Sequence, residues 1–64
     1  MKNLKIKGKR NELGLTQTEM AKLLDIELCT YNLKEQGKRD FTIKEAIKMC
    51  KIFNCKFEDI FLIE

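Results

Sequence analysis

The sequence predicts an all-α fold of five short helices forming a single domain over residues 1–64. Three observations carry this reading. Apolar residues recur at intervals of three and four, with helix formers at most intervening positions and no sustained alternation of period two. Proline is absent, and three glycines, at positions 8, 14 and 37, supply most of the punctuation. Thr16 with Glu19, and Thr42 with Glu45, are two capping boxes: a threonine oxygen accepts from the first-turn amides while the glutamate reaches back to the threonine amide.

The first helix is expected from residue 3 or 4 to 13. Ile6 and Leu13 face inward with Leu4 beside them, and Gly14 serves as a left-handed stop. Gly8 inside it costs up to about 1 kcal/mol relative to alanine, which reads either as close contact with a neighbouring helix or as a tolerated imperfection. The second helix is expected over 17–24, with Met20, Ala21 and Leu24 buried and Asp25 in the turn that follows. The third runs over 28–35 with Tyr31 inward and Gly37 after it. The fourth opens at Thr42 and carries Ile43, Ala46, Ile47, Cys50 and Phe53 on its apolar face. Asn54 accepts a left-handed cap, and Phe57, Ile60 and Phe61 form the apolar face of a short fifth helix. The apolar end, 61–64, reads either as core closure or as a share in a two-fold interface.

Composition excludes several classes. A chain of 64 residues buries only about 60% of the surface its unfolded form exposes, enough for one small core. No apolar run approaches the length of a membrane span, and the basic start lacks a signal-peptide core, so a cytoplasmic location is expected. The three cysteines show no Cys-x-x-Cys spacing, and with no histidine in the chain no zinc site or cofactor is expected. Cys50 and Cys55 sit at apolar positions and read as small core residues. An enzyme is not expected, because no nucleophile has an evident base and the carboxylates scatter over helix faces.

The stretch 15–37 reads as two short helices joined by a tight turn, the spacing that sets a second helix in the major groove of DNA. The pattern KxKRxELGLTQxEMAxLL over 7–24, TYNxKExGKR over 30–39, FTxxEAxKM over 41–49 and FEDIF over 57–61 resembles the lambda-repressor-like, or XRE, helix-turn-helix family of Cro- and CI-type phage and prophage repressors. The resemblance covers nearly the whole chain. It implies a compact five-helix DNA-binding domain with its helix-turn-helix at about 17–35, double-stranded DNA as partner, and a dimer on an imperfect palindrome, for which the apolar C-terminal segment is one candidate interface alongside its reading as core closure.

By that resemblance Leu28, Cys29 and either Asn32 or Leu33 are the base-reading positions. They are more apolar than the amides and arginines that make bidentate base contacts, and suit thymine methyl groups instead. Leu33 reads equally as a packing residue, and Cys29 as an incidental small side chain or a redox-sensitive thiol. Gln17 and Thr30 are implied phosphate contacts, Gln36 offers its backbone amide, and Lys38 and Arg39 lie along the phosphate strand. For Gln17 and for the Lys38–Arg39 loop, simple solvation is the alternative. Arg10 and Glu35 are implied to form a buried structural ion pair. The sequence departs from the family pattern at Asp25, where glycine is usual and some strain is expected, and at Glu27 and Lys56, which replace good caps. Without a sensor domain, control of such a regulator is expected from protein level, degradation, heterodimer formation or an antirepressor. A competing reading is a protein-interaction module, antitoxin-like or regulatory, that keeps the fold and binds a protein partner through the Leu28, Cys29, Leu33 surface.

Overall fold

Four of the five helices end in the same way, and this repeated closure sets the path of the chain. In a computed structural model that describes residues 2–3 and 5–62, α1 (Ile6–Glu12), α2 (Gln17–Leu23), α3 (Leu28–Glu35) and α4 (Ile43–Phe53) precede a short α5 (Phe57–Ile60). After each of α1 to α4 one residue turns left-handed: Gly14 at φ 70°, Asp25 at 58°, Gly37 at 83° and Asn54 at 52°. The next amide then reaches back five residues, Leu15 to Arg10, Ile26 to Ala21, Lys38 to Leu33 and Cys55 to Cys50, at 3.0–3.1 Å. Such Schellman closures satisfy helix-end carbonyls that would otherwise lack partners. Asp25 therefore occupies the conformation glycine would, and the turn closes with the same hydrogen bonds as the glycine-ended helices.

Both capping boxes form. Thr16 and Thr42 accept from the Glu19 and Glu45 amides at 3.1 Å, and the two glutamates accept from the threonine amides at 2.9 Å. Glu27 makes no capping hydrogen bond, so α3 starts uncapped. At α5 the Lys56 amide instead donates to the Asp59 carboxylate at 3.0 Å.

The chain ends meet in a two-residue antiparallel pairing of β1 (Lys2–Asn3) with β2 (Phe61–Leu62), an addition to the helices that period counting does not reveal. It also corrects the start of the first helix. Residues 2 and 3 pair with the far end of the chain and Lys5 turns left-handed at φ 57°, so α1 begins at Ile6. The inward placement expected of Leu4 lies outside the described residues, as do Ile63 and Glu64 of the C-terminal segment.

One apolar cluster holds the helices together. Met20 and Ala21 of α2, which ends at Leu23 rather than the expected Leu24, and Leu24 at its cap meet Tyr31 of α3, Phe41, Ala46, Met49 and Phe53 around and within α4, and Ile60 and Phe61 at the end, with Ile6 closing the α1 side. Four aromatic rings run through it: Tyr31 to Phe41 at 5.9 Å, Phe41 to Phe61 at 5.9 Å, and Phe61 to Phe57 at 5.0 Å between centroids. Tilted and edge-on pairs at such separations add to simple area burial. The burial of Phe61 makes it part of core closure.

Three expectations about facing are corrected. Leu13 is 51% exposed, because α1 ends at Glu12 and its inward stripe is Ile6 with Arg10. Ile43 and Ile47 are 62% and 51% exposed, and the inward stripe of α4 is Ala46, Met49 and Phe53. The α4 sequence contains two apolar stripes, and the aromatic cluster selects the one that reaches it. Gly8 makes no close contact, since a Cβ there would meet nothing within 4 Å; it is the tolerated imperfection.

Candidate nucleic-acid interface

The helix pair α2–α3 is locked to α1 through one carboxylate. Arg10 donates from Nε to Glu35 Oε2 at 2.9 Å and from Nη2 to Oε1 at 3.2 Å, while its Nη1 donates to the Leu15 carbonyl at 2.8 Å. The Tyr31 hydroxyl donates to Oε2 at 2.5 Å and Gln17 Nε2 to Oε1 at 3.2 Å. The Arg10 and Glu35 side chains are 8% and 5% exposed. Burial opposes ionisation of Glu35, yet donation from Arg10, Tyr31 and Gln17 outweighs it and holds the carboxyl below its ordinary range. The hydrogen bond to Glu35 raises Arg10 further. Burial first, and then donation to Glu35, push the Tyr31 hydroxyl up. The ion pair therefore stays charged through the physiological range, and α1, α2 and α3 each contribute a donor.

With Tyr31 and Lys34 turned inward, helical spacing puts Cys29, Asn32, Leu33 and Gln36 on the outer side of α3, with Leu28 at its edge, three residues before Tyr31. Leu28 is 44% exposed, Cys29 and Gln36 are exposed, and Thr30, Asn32 and Leu33 are half-buried. The Gln36 side-chain amide donates to the Asn32 side-chain carbonyl, so these two polar residues hold one another. Lys38 and Arg39 follow Gly37 in an exposed loop. Gln17 is half-buried against Glu35 rather than fully solvated. An open depression between the α1–α2 corner and the start of α3 is lined by Thr16, Gln17, Thr18 and Leu28.

Sequence reasoning missed Lys34, which is 6% exposed. Its Nζ donates to Glu45 Oε1 at 2.7 Å and lies 6.0 Å from the Phe41 ring centroid. The same carboxylate oxygen closes the α4 capping box. Burial works against its ionisation, but the hydrogen bonds from Lys34 and Thr42 prevail and lower Glu45. Asn3 was missed as well: its side-chain amide donates to the Lys34 carbonyl and, at 3.4 Å, to that of Glu35, at the end of α3. The available signal for Lys34 was its position three residues beyond Tyr31, on the same inward stripe.

A family model described as helix-turn-helix matches residues 6–60. The chain is 44% identical over 64 residues to an uncharacterized HTH-type transcriptional regulator of Methanocaldococcus jannaschii, covering all of this chain and 96% of that one. It is 37% identical over 60 residues to another from Archaeoglobus fulgidus, covering 94% and 84%. Against the HTH-type regulator YgzD of Bacillus subtilis the identity is 33% over 64 residues, covering 100% and 96%. Among the described residues no group of three or more His, Cys, Asp or Glu side chains is placed to hold a metal ion, and no helix is long and apolar enough to cross a membrane.

Proposed function

The chain belongs to the helix-turn-helix family, and from that premise we propose that it is a DNA-binding transcriptional regulator of the phage-repressor type, acting in the cytoplasm as a homodimer on a palindromic operator. The observation that carries this reading is the family match over residues 6–60, which spans an α2–α3 pair with the outer side of α3 open to solvent. In the proposed complex α3 enters the major groove. Leu28, Cys29 and Leu33 contact thymine methyl groups, and Asn32 meets base edges once Gln36 releases it. Gln17 donates one amide hydrogen to Glu35 and has a second for phosphate. Thr30 and the Gln36 backbone amide continue along the same strand, and Lys38 and Arg39 neutralise it beyond Gly37. Two copies set two recognition helices one helical turn apart, and occupancy of a promoter blocks transcription without any catalytic step.

The test is selection of bound duplexes from a random pool, followed by a salt titration against scrambled DNA. A palindrome bound at least about a thousandfold more tightly supports the proposal. Substituting Lys38 or Arg39 by alanine should weaken binding to every sequence and lower the salt slope by about one unit each. The exposure of Leu28 and Cys29 on α3 favours one second reading, a protein-binding face. Weak binding that is equal for all sequences would point there, to a partner whose affinity depends little on salt.

A further inference from the structure

We propose that Cys50 and Cys55 are a built dithiol that closes reversibly to an intramolecular disulfide at the end of α4. The Schellman closure there joins the Cys55 amide to the Cys50 carbonyl at 3.0 Å across left-handed Asn54. This closure turns the side chains of its first and last residues toward one another. After α2 the same two positions hold Ala21 and Ile26, both packed on the core. After α4 they hold two thiols. Each is half-buried against the apolar cluster, and both open on one surface groove beside Ile47, Phe57 and Asp59.

The surroundings favour a neutral product over a metal held by two thiolates. Burial and then Asp59 push Cys50 up; burial, Cys50 and Asp59 push Cys55 up, against a smaller opposing pull from Lys9. The carbonyl end of α4 adds a further negative potential. Closure therefore proceeds slowly, by exchange with a low-molecular-weight disulfide. The Cys50 thiolate attacks one sulfur of the oxidant and expels its first thiolate. Cys55 then loses its proton to water and attacks the Cys50 sulfur, expelling the second. Two protein thiols become one disulfide, and one oxidant molecule becomes two free thiols.

The experiment uses the full chain carrying Cys29→Ser, which removes the exposed thiol. The folded protein is incubated with oxidised glutathione, free thiols are blocked, and the product is digested with trypsin, which cleaves after Lys51 between the two cysteines. The expected result is peptides 49–51 and 52–56 joined by a disulfide, a mass lower by two hydrogens in the intact chain, and full reversal by dithiothreitol. Adding Cys55→Ser should leave Cys50 as a lasting mixed disulfide with glutathione. Lasting glutathione adducts on both cysteines, linkage between two copies, or closure only in denaturant would each overturn the proposal.

Discussion

Glu35 accepts four donated hydrogens, two from Arg10 and one each from Gln17 and Tyr31, so it organises a group rather than a pair. Removing Arg10 leaves a buried carboxylate with two neutral donors. Arg10→Ala should destabilise the fold by about 3–5 kcal/mol, comparable to the whole stability expected of so small a domain, roughly 3–10 kcal/mol. Tyr31→Phe, which removes one donor and leaves the ion pair intact, should cost only about 1 kcal/mol. Urea unfolding curves of the two variants measure this difference, and equal losses would contradict the hierarchy. The pairing of Arg10 with Glu35 was legible from family resemblance alone. The participation of Tyr31 was not, because its inward apolar placement says nothing about where its hydroxyl ends.

Among the elements, α2 and α4 start with complete capping boxes, while α3 begins at Glu27 without one. The helix proposed to enter the groove thus has a weaker start than the helices that support it. Glu27→Ser should stabilise the domain by about 1 kcal/mol. It should also tighten binding to any duplex by removing a negative charge near phosphate. Thermal melting and a binding titration measure the two effects separately. The start of α2 was readable from its capping threonine, and the ends of α2 and α3 from the left-handed closures at Asp25 and Gly37, because these act within one or two turns. The start of α1 was not, since β1 exists only by pairing with a segment nearly sixty residues away.

Across the whole molecule, stability should respond to pH at both ends and little between them. Glu35 and Glu45 lie below their ordinary value of 4.5 in the folded state, so the unfolded chain binds protons more readily. Their stabilisation is complete above the unfolded carboxylate range and is lost as pH falls through the folded values. Tyr31, Cys50 and Cys55 are raised above 10.0, 9.0 and 9.0. Their stabilisation is complete below those values and is lost as pH rises through the folded ones. With no histidine in the chain, the melting temperature should form a plateau from about pH 5.5 to 8.5, falling on either side. Melting scans across pH 3–11 check this, and a step near pH 6.5 would contradict it.

By itself the sequence determined the helical fold, the capping boxes, the turns at Gly14, Asp25, Gly37 and Asn54, and the inward placement of Met20, Ala21 and Tyr31, because these follow from interactions between near neighbours. Tertiary structure decided which of two apolar stripes on α4 faces inward, why Leu13 stays outside, how Lys34 is buried against Glu45, and that Phe61 closes the core. Each of these depends on what the other side of a contact offers. A hydrophobic period names the faces a helix has, and only a packed partner selects among them.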